Sequence, residues 1–172
     1  MPNKIRNGLS FPTGFIMVSA LGCLFHFLYQ LSGNNPVVGA FTSVNESTWE
    51  HMKLLFFPML IYVFVQWLLI GRKKSGFLPA AAKGILTGLF FIPVSFYSYT
   101  GMTGRNFFIA DILIFFISVW LSIRISEKQL RKNPEAGPAL NISAVIILLC
   151  LAAMFIGFTF FPPDSPMFLN VK

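Results

Sequence analysis

Residues 140–161 read LNISAVIILLCLAAMFIGFTFF, an uncharged apolar run long enough to decide the class of fold. A helix needs about 17–25 such residues to cross the ~30 Å hydrocarbon core of a bilayer. Four other runs of similar character precede it. Strands of a membrane barrel would be about half as long and would alternate, whereas a helix satisfies its own backbone groups in lipid. We predict an all-α integral membrane bundle with five transmembrane helices at residues 12–31, 54–70, 78–99, 107–125 and 140–161.

The composition excludes a soluble globular protein. Of the 172 residues, 55% are hydrophobic and only 11% are charged, against about 25% charged residues in soluble domains. The length fits a single membrane domain over residues 1–172. The first run is longer than the roughly 7–15-residue core of a cleaved signal peptide, so we expect it to remain as a span. Cys23 and Cys150 fall within spans and form no metal or disulfide pattern.

The 13 basic residues are divided unevenly between the two ends of the predicted helices. Ten of them flank one set of alternate ends: Lys4, Arg6, Arg72, Lys73, Lys74, Lys83, Arg124, Lys128, Arg131 and Lys132. Because Lys and Arg are enriched in cytoplasmic loops, this pattern predicts the amino terminus inside and the carboxyl terminus outside. The formal net charge of +7 then reflects topology. The expected partner of the basic loops is the lipid bilayer and not a nucleic acid.

The connection between the first two spans, residues 32–53, is too long and too polar for an ordinary helix–helix loop. Ser47 with Glu50 three residues later forms a capping-box pattern, which predicts that the second helix starts near Ser47. At 100° per residue, one face of that helix would carry Glu46, Trp49, Glu50 and Lys53. His51 would point elsewhere.

Two ionisable residues lie within predicted spans on the outer side. At 1.5 Å per residue, His26 is roughly 8 Å and Asp111 about 6 Å from the outer end of its span. Such residues usually face the bundle interior and mark candidate functional sites. The alternative is that these residues have only structural roles. His26 and Asp111 could pair with each other, and the charged residues of the loop and Trp49 could lie at the membrane interface. We predict an outward-facing polar pocket with these candidate residues: His26, Asn34, Asn35, Asn45, Glu46, Trp49, Glu50, His51, Lys53, Tyr97, Tyr99, Arg105 and Asp111.

The same loop carries a resemblance to a known family. Residues 45–53 read NESTWEHMK, and they are accompanied by HFLY at 26–29, YTG at 99–101 and FTFFPP at 158–163. This pattern, with its Asn-Glu-Ser-x-Trp-Glu-His-x-Lys signature, resembles a family of small prokaryotic multi-pass membrane proteins catalogued as a domain of unknown function. The resemblance covers nearly the whole chain. It implies a protein of the prokaryotic cell membrane, and it implies no established activity.

A binding or transport component is the first function class that fits these features. The pocket would receive a small solute or a lipid-linked ligand from outside. Five spans are few for a complete transporter, and no inverted repeat is evident, so we expect a homo-oligomer or a subunit of a larger membrane complex. Four residues are expected to break or kink the helices around the pocket: Pro58, Gly84, Gly88 and Pro93.

A membrane-embedded enzyme acting on a lipid-phase substrate is the second class. The sequence offers nitrogen and oxygen ligands suited to zinc, iron or manganese, and the candidate metal ligands are His26, Glu46, Glu50, His51 and Asp111. No HExxH or Glu-x-x-His spacing supports them, and the catalytic residues stay unassigned. A metal-free enzyme would use His26 or His51 as base, oriented by Asp111. The third class is an assembly or interaction protein without a small ligand.

Overall fold

The structure, a computed structural model, describes residues 11–170, and within that range it contains helices and no strands. The helices are α1 (Phe11–Leu31), α2 (Pro36–Gly39), α3 (Thr48–Leu69), α4 (Phe77–Thr103), α5 (Phe108–Lys132) and α6 (Pro138–Phe160). All except the short α2 are long and apolar enough to cross a membrane. The prediction of an all-α multi-pass membrane protein is therefore confirmed. Lys4, Arg6 and Lys172, which entered the orientation argument, lie outside the described residues.

Two helices extend well beyond the apolar runs that predicted them. α3 starts at Thr48 with Ser47 as its N-cap, upstream of the predicted span at 54–70. α5 continues to Lys132, so the basic segment expected as a loop forms its last turns. Glu127 and Arg131 pair there at 3.7 Å, in the i,i+4 spacing that supports an exposed helix. The length of an apolar run corresponds to the thickness of the hydrocarbon core, whereas the helices themselves continue into the polar interface of the membrane.

The helices run without a break through all four residues expected to interrupt them: Pro58, Gly84, Gly88 and Pro93. The expected breaks are therefore absent at these positions, and the two glycines serve packing between α4 and α5 instead. A Cβ on Gly84 would overlap the backbone carbonyl of Ser122, and one on Gly88 would overlap the Ser122 hydroxyl. Small residues allow the close backbone approach that drives helix association in lipid.

α3 is the central helix of the bundle. Leu55, Phe56 and Met59 on it are fully buried, and they belong to the main apolar core. Only about a fifth of the residues in the apolar parts of α1, α5 and α6 are buried, as expected for helices with one face in lipid. The core therefore forms around α3 and α4, and the other three long helices surround it.

The ends of the long helices form two groups at opposite sides of the bundle. At the side we call the basic end, α3 and α5 finish and α4 and α6 begin. The Gly76 amide donates to the Pro134 carbonyl at 3.0 Å, and the Arg124 guanidinium lies 3.8 Å from the Phe11 ring centroid at the start of α1. At the other side, which we call the loop end, residues 32–47 connect α1 to α3. The polar candidates lie at this loop end.

A buried ion pair fixes the long connection to the helices. The Lys53 ammonium donates to the Glu50 carboxylate at 2.9 Å, to the Gly39 carbonyl at 2.7 Å and to the Thr159 hydroxyl at 2.7 Å. The Val44 amide donates to the same Glu50 oxygen at 3.0 Å. These bonds join the connection, α3 and α6 at one point. They explain how the polar connection, residues 32–47, keeps one conformation across the loop end.

Candidate functional site

A cavity of about 790 Å³ opens beneath the connection, between α1, α3, α4 and α5. Most of its wall is apolar and comes from residues such as Leu54, Ile92, Phe96, Ile112 and Phe115. Its polar groups come from the loop end of the bundle: His26, Glu46, Thr48, His51, Asn106 and Asp111. The cavity thus has a polar part and a long apolar part.

Three of these polar residues form a compact cluster on one wall. The Glu46 carboxylate lies 3.8 Å from Nε2 of His26 and 3.5 Å from Nε2 of His51. The two imidazole ring centroids are 5.7 Å apart. The side chains are 25%, 34% and 58% exposed for His26, His51 and Glu46, so the cluster is accessible from the cavity without being fully solvated.

The start of α3 positions this cluster. The Ser47 hydroxyl accepts from the Glu50 amide at 3.3 Å, and the Asn45 side-chain oxygen accepts from the Ser47 amide at 2.9 Å. These bonds hold Glu46 between two ordered residues just before the helix. His51, one turn into the helix, places Nδ1 2.9 Å from the Ser47 carbonyl. Since a carbonyl only accepts, Nδ1 carries the hydrogen, and Nε2 of neutral His51 presents its lone pair to Glu46.

A second polar group lies on the opposite wall, where α4 ends and α5 begins. The Tyr99 hydroxyl is 2.5 Å from an oxygen of Asp111 and 2.5 Å from the side-chain oxygen of Asn106. It has one hydrogen, which it donates to the Asp111 carboxylate as the stronger acceptor. The Asn106 amide then fits better with its nitrogen turned toward the hydroxyl, to which it can donate. Asp111 thereby has a partner at the rim of the cavity.

Several predicted site residues lie away from this cavity, and the helical face predicted for Glu46 is wrong. Glu46 precedes the N-cap, so the 100° rule does not apply to it, and it faces His51 while Glu50 and Lys53 point into the core. Trp49 is buried among aromatic rings, 4.6 Å from Phe155 by ring centroids. The buried ion pair and the tryptophan therefore support the fold and do not line the cavity.

The remaining candidates have local structural roles. Asn34 adopts a left-handed turn with φ of 61°, and Asn35 caps α2 by accepting from the Val37 amide at 2.9 Å. Arg105 lies over the Phe107 ring at 5.2 Å from its centroid, and Tyr97 is an exposed side chain of α4. None of them is among the residues that line the cavity.

Sequence reasoning missed other residues of the cavity. Asn106 and Thr48 are polar lining residues that were not selected, and Gly22, Cys23 and Phe115 are apolar ones. A Cβ on Gly22 would overlap the Phe115 ring and come within 2.8 Å of the Leu54 carbonyl. A glycine inside an apolar span signals close packing, but the sequence does not say which residue it packs against.

A sequence model described as "Family of unknown function (DUF6512)" matches residues 9–171. No curated protein and no solved structure matches the chain.

Proposed function

We propose a function from the cavity itself, because the chain belongs to the DUF6512 family, a family of unknown function. The protein binds a small amphipathic or lipid-linked ligand in this cavity. The carrying observation is the division of the cavity into a polar loop end and apolar walls. A polar headgroup would contact His26, Glu46, His51 and Asp111, and a hydrocarbon part would lie against the helices. Pockets of about 300–1,000 Å³ with few, grouped polar residues are typical of small-ligand sites.

In the prokaryotic cell membrane the loop end faces outward, and the ligand reaches the cavity from outside. The protein serves as a binding or transport component, in a homo-oligomer or in a larger complex. The basic end supports this orientation. It gathers the chain segments that contain Arg72, Lys73 and Lys74 and the last turns of α5, and such ends are preferentially cytoplasmic.

Topology reporters test the orientation. Fusions after Lys74 and after Lys132 should report a cytoplasmic location, and a fusion after Asn106 should report an external one. The physical reason is the basic excess at the first two positions. Adding lysines near Asn106 should weaken the external signal, which serves as an internal control. A cytoplasmic signal after Asn106 in the unmodified chain would contradict the outward-facing cavity.

The two cysteines offer a matched test of ligand binding. Both cysteines are exposed, but Cys23 on α1 lines the cavity and Cys150 on α6 does not. A Cys23→Phe substitution fills the cavity with a ring, so lipid that copurifies with the detergent-solubilised protein should fall at least about tenfold. Cys150→Phe adds the same ring on the outer face and should leave the copurified lipid unchanged. Native mass spectrometry of both variants, with thermal unfolding as a folding check, makes the comparison.

A result in which both cysteine variants keep the same bound lipid, or in which the wild type carries none, would reject the ligand-binding function. It would favour the assembly or interaction protein.

The second candidate function is a membrane-embedded enzyme that acts on a lipid-phase substrate. The specific observation in its favour is the grouping of His26, Glu46 and His51 in one cavity wall.

A further inference from the structure

We propose that His26, Glu46 and His51 bind one divalent transition-metal ion, with zinc the best match, and leave a coordination position open to the cavity. Each residue offers one ligand atom, and the three atoms lie within 4.8 Å of one another. Two imidazole nitrogens and one carboxylate oxygen form a ligand set that zinc accepts. The three residues come from α1, the connection and α3, so the metal would join three chain segments that are separate in sequence.

A tetrahedral site requires the three ligand atoms, which lie within 4.8 Å of one another, to move closer together. Zinc binds His nitrogen and carboxylate oxygen at about 2.0–2.2 Å, which puts neighbouring ligand atoms about 3.3 Å apart in a tetrahedron. Oε2 of Glu46 lies 3.5 Å from Nε2 of His51, and Oε1 lies 3.8 Å from Nε2 of His26, so each histidine is near that separation from one carboxylate oxygen, and the two rings must approach each other for one ion to bind all three residues. The Glu46 carboxylate is the most exposed of the three side chains and is therefore free to rotate into place.

The surroundings of His51 prepare it as a metal ligand. Its Nδ1 donates to the Ser47 carbonyl, which fixes the tautomer and directs the Nε2 lone pair toward Glu46. Metal-binding histidines usually make this second hydrogen bond, and it orients the ring. In the neutral ring, two electron-rich atoms then face each other across 3.5 Å. A proton between them would join only this pair, whereas a metal ion would also bind His26.

The choice of metal follows from the ligand types. Magnesium and calcium prefer sites made of oxygen, and two of the three ligands here are nitrogens. Three protein ligands with a fourth position open to solvent or ligand are the pattern of reactive zinc sites and not of closed structural ones. Because the three ligand atoms lie in the cavity wall, the open position faces the space in which the amphipathic ligand is proposed to bind. Metal binding itself does not depend on that ligand.

Metal content of the full chain tests the proposal. The protein is purified in detergent with an affinity tag free of histidine, stripped with a chelator, and reloaded with zinc or with magnesium. Elemental analysis should give one zinc ion per chain and no magnesium. Calorimetric titration should show zinc affinity reduced at least about 100-fold in His26→Ala, Glu46→Gln and His51→Ala, since each removes one of three ligands. Asp164→Asn, an exposed carboxylate outside the cluster, should bind zinc as the wild type does.

Absorption spectroscopy at the zinc edge keeps the test decisive if a variant fails to fold. The loaded wild type should give a coordination shell with two imidazole ligands. A shell with fewer than two imidazoles, a zinc content well below one per chain, or full zinc affinity in folded His26→Ala/His51→Ala would overturn the proposal. Because zinc is measured without added lipid, this outcome is independent of the amphipathic ligand. Lipid loss in the Cys23 variant with intact zinc binding would leave both proposals standing.

Discussion

Replacing Lys53 with methionine is expected to destabilise the folded protein by about 3–5 kcal/mol, the range found when one partner of a buried ion pair is removed. The Lys53 side chain is fully buried, and that of Glu50 is 3% exposed. Methionine retains much of the apolar stem but none of the three hydrogen bonds. The Glu50 carboxylate would then remain buried with only the Val44 amide and the Thr159 hydroxyl as donors.

The double variant Glu50→Gln/Lys53→Met separates charge burial from packing. The glutamine oxygen can still accept from the Val44 amide, its NH2 group can donate to the Thr159 hydroxyl, and the unpaired charge is gone, so the double variant should be more stable than Lys53→Met alone. Lys83→Met is the matched control, because Lys83 is exposed and contacts Gln129 at 3.2 Å. Its effect should stay within about 0.5 kcal/mol. Equilibrium unfolding in detergent measures all three, and a double variant no more stable than the single one would contradict the charge argument.

The same substitution connects stability to the proposed metal site. Lys53 binds the Gly39 carbonyl, and the connection that contains Gly39 also brings Glu46 to the cavity wall. Loss of this bond should loosen residues 32–47 and make them more sensitive to protease at the loop end. Zinc affinity should fall together with that protection, although Lys53 is not a proposed ligand.

The length of the apolar runs predicted the five long helices because the thickness of the bilayer fixes that length. The capping pattern was only half right. The Ser47 hydroxyl does accept from the Glu50 amide, but the Glu50 side chain does not return to the Ser47 amide. The Asn45 side-chain oxygen accepts from the Ser47 amide instead, and the Glu50 carboxylate points inward and accepts from the Lys53 ammonium. A buried lysine is a stronger partner for a carboxylate than a backbone amide, and the sequence does not show that Lys53 is buried.

The site was harder to predict than the spans. Depth along the helices suggested that His26 and Asp111 belong to one pocket, and both line the cavity. The grouping of His26 with Glu46 and His51 depends on the path of the connection, which long-range bonds such as Lys53 to Thr159 determine. Helical periodicity cannot describe a residue that precedes the helix, so it placed Glu46 on the wrong face. Contacts between residues that are distant in sequence leave no local pattern from which they could be predicted.

Replacing Gly84 with alanine is the second change expected to have a large effect, a loss of at least about 2–3 kcal/mol from overpacking. The added Cβ would overlap the Ser122 carbonyl and the Ser126 side chain on α5. A serine side chain can rotate, but the Ser122 carbonyl belongs to the helix backbone, and it can move only if α5 moves. Dispersion contacts hold helices together in lipid, so even a small separation of α4 from α5 loses many of them.

Gly101→Ala is the matched control, because it makes the same change on the same helix. Apart from its chain neighbours and the nearby backbone of its own helix, no described residue has a heavy atom within 4 Å of a Cβ on Gly101, so the only effect there should be helix propensity, a gain of up to about 1 kcal/mol. The two substitutions should therefore change the unfolding midpoint in detergent in opposite directions.

α4 and α5 also form two walls of the cavity, through Ile92 and Phe96 on one side and Ile112 and Phe115 on the other. Separation of these helices in Gly84→Ala should reduce copurified lipid as well as stability. Equal midpoints in the two variants would show that the close approach of α4 and α5 at Gly84 does not limit the stability of the bundle.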